Sequence, residues 1–135
     1  MSATNEYQAG YCNIGKQEKQ DRRRFGYFGT ILTILGIIGI LGLNLDPILA
    51  LLLIIPAYMA VIGFYQDRSN FCVYFGFSGL YDMEEEQKKI RRVQDEIKRK
   101  VDRKRAIKMS FLALVYSGIL TIIFFVTIFG IQTFI

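Results

Sequence analysis

The sequence predicts an all-α integral membrane protein with three transmembrane helices and a charged amphipathic cytoplasmic helix before the third. Three runs, residues 25–43, 47–65 and 109–135, contain no Asp, Glu, Lys or Arg, and each is long enough to cross the hydrocarbon core of a bilayer. The chain is 52% hydrophobic, and its apolar residues are concentrated in blocks and not dispersed as in a water-soluble core. All 17 lysines and arginines lie within residues 1–24 or 66–108. We therefore expect a single membrane domain with one basic side.

Residues 1–24 form a polar N-terminal segment that we expect to be cytoplasmic and loose at its beginning. The first span, residues 25–43, follows the arginines at positions 22–24. Small residues recur along this span at helical spacing and define one face: Gly26, Gly29, Thr33, Gly36 and Gly39. Because small residues let helices approach closely in lipid, we expect this face to pack against another span. The simpler alternative is that glycine is common in transmembrane helices.

Asp46 and Pro47 predict a tight helical hairpin between the first two spans, with Asp46 as the N-cap and Pro47 at the first helical position. The second span is expected over residues 47–65. Pro56, near its centre, removes a backbone donor and predicts a kink. Such a kink could line a ligand cavity or a transport path, or it could be a structural proline whose neighbours satisfy the backbone. We favour the structural interpretation.

Residues 66–81 are dense in aromatic side chains, which predicts a segment that lies flat on the membrane surface or enters it shallowly. Residues 82–108 predict an amphipathic basic helix that opens with a capping-box-like pair, Asp82 and Glu85. Its narrow apolar stripe comprises Ile90, Val93, Ile97 and Val101. A stripe this narrow fits a partner helix better than deep membrane insertion. The expected surface for a partner or for anionic lipid headgroups also includes the basic residues Arg22, Arg23, Arg24, Arg99, Lys100 and Arg103.

The third span, residues 109–135, carries three hydroxyl residues on one face, Ser110, Ser117 and Thr121. This face is a candidate partner for the small-residue face of the first span. Alternatively, the hydroxyls bond to carbonyl groups of their own helix, as serine and threonine often do in apolar surroundings.

The distribution of positive charge predicts the orientation. Positive loops stay cytoplasmic, so the N-terminus and the basic segment are expected inside, and the hairpin turn and Ile135 outside. The net charge of +5 and the pI near 9.3 are explained by cations that flank the spans and meet anionic lipid, so no nucleic-acid partner is expected. The expected partners are the lipid bilayer and a membrane protein or a second copy of the chain.

The sequence offers few residues that carry common reaction chemistry. It has no histidine, and its two cysteines cannot complete a four-ligand metal site in one copy. The spans hold no ionisable side chain except tyrosine, which disfavours a proton or ion relay. We therefore expect no catalytic residue, no metal and no cofactor, and we do not expect an enzyme.

Cys12 and Cys72 are the one constellation that could support chemistry. A helical hairpin returns the chain to the side where it started, so the two thiols can meet at the cytoplasmic interface. The nearby cations Lys16, Arg22 to Arg24 and Arg68 would lower thiol pKa values and favour thiolate. The alternative is that both cysteines are small packing residues.

Two sets of residues resemble known membrane proteins. Cys12, Asn13, Ile14 and Gly15, followed by Arg22 to Arg24 and by Gly26 at the start of a span, resemble the CNxG…R…G pattern of YgaP-type two-helix transmembrane modules. Some members of that class are attached to rhodanese sulfurtransferase domains. A wider set is similar to small uncharacterised prokaryotic membrane proteins: Pro56, Gly63 to Gln66, Phe71 and Cys72, Phe75 and Gly76, and Asp102 to Ala106 before a third span. The resemblance implies a multi-pass protein of a prokaryotic inner membrane and brings no activity with it.

The function expected from the sequence is that of a non-catalytic accessory or scaffold subunit in a larger membrane protein complex. The alternative is a membrane-bound thiol protein that relays sulfur or electrons, or holds a metal between subunits, through Cys12 and Cys72. An oligomeric channel or carrier would need a continuous polar path, for which the candidates are the hydroxyl face of the third span and Pro56.

Overall fold

The structure, a computed structural model, describes residues 7–83 and 89–134. The elements in chain order are helix α1 (Lys16–Gly42), a 3₁₀ helix (Pro47–Leu53), α2 (Ile54–Ser69), α3 (Val73–Ser78), strands β1 (Leu80–Tyr81) and β2 (Arg91–Arg92), and α4 (Glu96–Phe134). Three helical stretches are long and apolar enough to span a membrane: α1, the 3₁₀ helix together with α2, and α4. The predicted all-α fold class with three such helices is confirmed, and the described part of the chain adds a hairpin of two short strands.

Helix α1 starts earlier than the predicted span. It begins at Lys16, so the arginines at positions 22–24 lie on the helix and not in a preceding loop. Gly15 precedes it and is fixed by a hydrogen bond from its amide to the carbonyl oxygen of Asp82, at 2.7 Å. The helix ends at Gly42, and Asn44 turns the chain with a φ of 51°, a left-handed conformation that asparagine tolerates. The basic end of α1 is therefore a rigid part of the fold.

Helices α1 and α2 run antiparallel and touch backbone to backbone. A Cβ atom added at Gly29 would lie 2.5 Å from the amide nitrogen of Ala60, and one added at Gly63 would lie 2.5 Å from that of Gly26. Further along α1, a Cβ at Gly36 would meet the Leu53 side chain at 2.4 Å. Glycine is needed at these points because no side chain fits between the two helices.

The predicted face of α1 includes the buried Thr33 but does not extend to Gly39. Thr33 is buried, and its hydroxyl donates to the carbonyl oxygen of Gly29 at 2.8 Å. Gly39 has no atom within 4 Å of a built Cβ, so it lies outside the contact between α1 and α2. The face is therefore shorter than its spacing in the sequence suggests.

The second span is a 3₁₀ helix followed by an α-helix. Asp46 caps it as predicted, since its carboxylate accepts a hydrogen bond from the Ile48 amide at 3.0 Å. Pro56 is the third residue of α2 and not a central residue of one continuous helix, because the 3₁₀ stretch before it uses different hydrogen bonds. In the first turn of an α-helix a proline is tolerated. The span continues past the predicted end to Ser69, where Asn70 closes it in the left-handed conformation.

The predicted amphipathic helix over residues 82–108 is wrong in its first half. Strand β1 pairs antiparallel with β2, and helix α4 begins only at Glu96. The Asp82 carboxylate accepts the Lys89 amide at 3.0 Å, so Asp82 closes the hairpin and does not cap a helix. Gly79, with a φ of 70°, starts the hairpin and accepts the Val93 amide at 2.8 Å. Glu85 of the predicted capping box and the neighbouring acidic residues lie outside the described residues.

Helix α4 continues without a break into the third span. Its 39 residues correspond to about 58 Å, far more than a bilayer core requires. Its Ala106 and Met109 pack against Phe71, while Ile128 packs against Ala50 at the other end. Gln132 donates to the carbonyl oxygen of Leu45 at 2.8 Å, which closes the bundle beside the hairpin turn.

The hydroxyl face of α4 does not meet the glycine face of α1. Helix α4 packs against α2 and the 3₁₀ helix, and it has little contact with α1. Ser117 and Thr121 are buried, and their hydroxyls donate to the carbonyl oxygens of Leu114 at 3.0 Å and Ser117 at 2.7 Å. Ser110 is half-buried. The alternative of bonding within the helix is therefore correct for Ser117 and Thr121, because the close approach of α1 and α2 already occupies the glycine face.

Candidate functional site

A folded cap sits at the basic end of the three long helices. We define the cap as residues 7–15, 70–83 and 89–105, which include α3, the β-hairpin and the first turns of α4. Residues 66–69 of the predicted interfacial segment belong to α2, and residues 70–81 are part of this cap. Phe71 and Phe75 are buried in the cap, whereas Tyr74 and Phe77 are exposed. The aromatic residues thus form a small core as well as a surface.

Asn13 joins two of the three segments of the cap, residues 7–15 and 70–83. Its side chain is fully buried, and the amide accepts a hydrogen bond from the Cys72 backbone N–H at 2.6 Å and donates one to the Cys72 carbonyl oxygen at 3.1 Å. The backbone N–H of Asn13 donates to the carbonyl oxygen of Asn70 at 3.1 Å, and its carbonyl oxygen accepts the Asp82 amide at 3.0 Å. One residue therefore fixes the N-terminal segment to both the α2–α3 connection and the hairpin.

A second buried polar group, Asp102, fixes α4 to the N-terminal segment. Its carboxylate accepts the Gly10 amide at 2.7 Å and the Tyr7 hydroxyl. Arg105 donates to the carbonyl oxygen of Gly10 at 2.7 Å, and its guanidinium lies 5.4 Å from the centre of the Phe71 ring. Asp102 precedes the charge-free part of α4, so it belongs to the cap and not to the span.

Burial changes the acid–base behaviour of this pair. Loss of water around Asp102 raises the pKa of its carboxyl, and the hydrogen bonds from Tyr7 and Gly10 and the charge of Arg105 only partly oppose that effect. Burial, followed by the hydrogen bond to Asp102, raises the pKa of the Tyr7 phenol. Both groups therefore hold their protons more tightly than in water.

Three residues of the predicted partner surface are structural. Val93 is 3% exposed. Arg22 pairs with the buried Glu18 at 3.1 Å, and its guanidinium lies 6.0 Å from the centre of the Phe75 ring. The Arg99 stem packs on Gly79, where an added Cβ would lie 2.8 Å from Arg99 Cδ. These side chains are occupied within the chain and are not available to a partner.

The other residues of that predicted surface are accessible: Ile90, Ile97, Val101, Arg23, Arg24, Lys100 and Arg103. The predicted stripe does not exist as one helical face, because Ile90 precedes β2 whereas Ile97 and Val101 are on α4. Ile97 is 73% exposed. The surface is therefore a mixture of isolated apolar side chains and cations.

Cys12 and Cys72 lie in the same part of the cap, and both are free thiols. Cys72 is buried with Ile14 and Phe75. The Cys12 thiol is half-buried and donates to the carbonyl oxygen of Ile14 at 3.7 Å. Burial raises the pKa of the Cys12 thiol despite the nearby charge of Lys19, so the expected lowering by cations is wrong for this residue. These features favour the packing interpretation of the two cysteines.

A groove lies between the basic ends of α1 and α2. It has a volume of about 370 Å³ and is lined by Arg23, Tyr27, Phe64, Asp67 and Arg68. The Arg23 guanidinium donates two hydrogen bonds to the Asp67 carboxylate, at 3.0 and 3.4 Å. The Tyr27 and Phe64 rings meet edge to face with their centres 5.1 Å apart. The groove thus combines fixed charge with an aromatic wall.

Asn13 and Asp102, which hold the segments of the cap together, were not predicted as site residues from the sequence. Asn13 appeared only inside the CNIG motif, and Asp102 only as an acidic residue in a basic segment. The local pattern gives no signal for the burial of Asp102, because its neighbours at helical spacing are Lys98, Arg99, Arg105 and Ala106, as on an exposed helix face with paired charges. The buried polar side chains of the described residues, Asn13, Glu18, Thr33, Gln66, Asp82, Asp102, Ser117 and Thr121, all have hydrogen-bond partners within the chain.

No group of three or more Cys, Asp or Glu side chains in the described ranges 7–83 and 89–134 is arranged to hold a metal ion. No family model, curated protein or solved structure matches the chain. The fold and the cap therefore define the class: a small, mostly helical protein with three helices able to span a membrane and a folded cap at their basic end.

Proposed function

We propose that the chain is a small accessory or scaffold subunit of a larger membrane protein complex, without catalytic function, in the inner membrane of a prokaryote. In this proposal the N-terminus and the cap are cytoplasmic, and the hairpin turn and the end of α4 are outside. The positive-inside rule supports the orientation, because the described lysines and arginines are at the cap end while the turn at Asp46 has none.

The observation that carries the proposal is the rigid extension of α4 beyond its apolar part. Hydrogen bonds from Gly10 to Asp102 and from Arg105 to Gly10 hold this extension in the cap. Its outer surface presents Ile97, which is 73% exposed, beside the cations Lys100 and Arg103. A helix that is held in place by hydrogen bonds and exposes apolar and cationic side chains is suited to bind a partner helix that carries acidic residues.

The buried polar side chains at the centre of the cap form hydrogen bonds with their own chain, which supports a structural role. Asn13 and Asp102 bind backbone groups of their own chain, which specifies the cap but leaves little capacity to bind a substrate. Ordinary reaction chemistry requires a nucleophile or base next to a group that activates it. In the described residues, the thiol with a resolved pKa shift, Cys12, is shifted towards the unreactive protonated form.

Native mass spectrometry after extraction in a mild detergent tests this proposal. We expect the 15.6 kDa chain to be accompanied by a second polypeptide in fixed stoichiometry. The double variant Ile90→Ser, Ile97→Ser should release that polypeptide, whereas Gln94→Ser, which alters another exposed residue of the cap, should retain it. A chain that is recovered alone, or only with copies of itself, would contradict the accessory role.

A further inference from the structure

The groove between the basic ends of α1 and α2 has the features of a lipid site. We propose that this groove binds the phosphate group of one anionic phospholipid, with Arg23 and Arg68 as the residues that contact it. The proposal rests on the proposed function in one respect, which is that the basic end of the chain faces a leaflet that contains anionic lipid. It goes further by assigning a single site and its ligand class.

The charge of the groove matches a phosphodiester. Two arginines and one aspartate line it, so its net charge is +1, and a phosphodiester carries one negative charge. Arg23 is half exposed and uses two N–H groups on Asp67, which leaves the other donors of its guanidinium for a ligand. Asp67 thereby fixes the plane of the Arg23 guanidinium before a ligand arrives, which lowers the entropy cost of binding.

Arg68 supplies the unpaired charge. Within the described part of the chain its guanidinium makes no hydrogen bond and no ion pair. It lies in the last turn of α2, next to Asp67 in sequence. Arginine is well suited to phosphate, because its planar guanidinium can donate two parallel hydrogen bonds to the phosphate oxygens.

The surroundings of the groove favour a lipid over a soluble anion. Tyr27 and Phe64 form its apolar wall, and Tyr27 is 56% exposed. Beyond the groove, α1 contains no charged residue from Phe25 to its end and exposes Phe28 and Ile31. A phosphate in the groove would therefore have an apolar surface directly beside it for its acyl chains. Tyrosine is enriched at this depth because its ring is apolar and its hydroxyl is polar.

The alternative is a diffuse attraction, in which every exposed cation of the cap draws anionic lipid to the surface without a defined site. The two cases differ in what they depend on. A defined site requires Arg23 and Arg68 in particular, whereas a diffuse attraction depends on the total positive charge and is insensitive to which cations are removed.

The test measures how many lipids the full-length chain retains. The purified protein in a neutral detergent is titrated with phosphatidylglycerol or with phosphatidylcholine, and bound lipid is counted by native mass spectrometry. We expect one phosphatidylglycerol to bind in preference to phosphatidylcholine. Arg68→Gln should weaken this binding about fivefold, and Arg23→Gln with Arg68→Gln about 25-fold, from the usual contribution of one cation near an anionic surface.

The matched control is the double variant Lys98→Gln, Lys104→Gln, which removes the same charge from an exposed part of α4. It should bind phosphatidylglycerol like the wild type. Equal weakening in the control and groove variants would show diffuse attraction and overturn the proposal. Equal binding of phosphatidylcholine, or displacement of the lipid by excess inorganic phosphate, would also overturn it.

Two further points keep the test interpretable. Arg68→Gln leaves the Arg23–Asp67 pair intact, so this single variant probes the site without disturbing the contact between α1 and α2. The readout is bound lipid and not a bound polypeptide, so loss of the lipid site leaves the accessory role untouched. Absence of a partner polypeptide with the lipid site intact would remove only the proposed function.

Discussion

Replacement of Asn13 by alanine should open the cap. The Asn13 amide is the only side chain that bonds both the N–H and the carbonyl group of Cys72 among the described residues. Cys72 is 1% exposed, so its backbone N–H would lose its partner in a place that water reaches poorly, whereas its carbonyl oxygen would keep the hydrogen bond from the Gly76 amide at 2.9 Å. The variant therefore removes two hydrogen bonds and leaves one buried polar group without a partner.

The size of the effect follows from these two losses. A buried donor without a partner costs about 1–3 kcal/mol, and the loss of the second hydrogen bond costs about 1 kcal/mol, so together they cost about 2–4 kcal/mol. A water molecule that enters the space left by the amide would recover part of this energy. We therefore expect the free energy of opening the cap to fall by about 2 kcal/mol, which corresponds to an increase of about 30-fold in the open population.

The assay is the rate at which the buried Cys72 thiol reacts with a maleimide in a Cys12→Ser background. Asn13→Ala should increase this rate about 30-fold, because the thiol reacts only when the cap opens. Asn44→Ala is the matched control, since it removes an asparagine at the opposite end of the bundle and should leave the rate unchanged. A change of less than about threefold in Asn13→Ala would refute the role assigned to Asn13.

Three further predictions concern packing and ionisation. Gly63→Ala should lower the stability of the bundle to SDS by about 1–3 kcal/mol, because its Cβ would lie 2.5 Å from the Gly26 nitrogen, whereas Gly39→Ala, in open space, should not. Folding of the cap raises the pKa of the Asp102 carboxyl. The contribution of Asp102 to the stability of the cap is therefore fully present below its pKa in the unfolded chain, near 4, and is lost as pH rises through its pKa in the folded cap. Maleimide labelling of the cap should therefore accelerate over that range in the wild type and less in Asp102→Asn. The rate of Cys12 alkylation should rise with pH only above the ordinary thiol pKa, because burial raises the pKa of this thiol. A titration midpoint below about pH 8 for the alkylation rate would contradict this increase.

The spans were predictable because their signal is local. A run without charge that is long enough for a bilayer needs no knowledge of its neighbours, and all three such runs lie in helices of sufficient length. The N-cap of the second span was equally predictable from local sequence, because the Asp46 carboxylate accepts a hydrogen bond from the amide of Ile48, two residues ahead. The spacing of Gly29 and Gly36 indicated a face, but spacing alone cannot say which helix meets it.

The cap was not predictable because its contacts are distant in sequence. Asn13 bonds Cys72, 59 residues away, and Gly10 bonds Asp102, 92 residues away. The charge pattern of residues 82–108 favoured one helix, yet Leu80 pairs with Arg92 in a strand contact that a local pattern does not reveal. Tertiary contacts of this kind override local propensity, and they decide where α4 begins.

The central claim is that the cap and the hairpin turn are on opposite sides of a membrane. Its most direct test uses single cysteines, Asn44→Cys in the turn and Arg92→Cys in the cap, in a chain whose native cysteines are replaced by serine and alanine. With a membrane-impermeant maleimide on intact cells, we predict that Asn44→Cys is labelled and that Arg92→Cys is labelled only after permeabilisation. Labelling of Arg92→Cys in intact cells, or equal labelling of both, would contradict the claim.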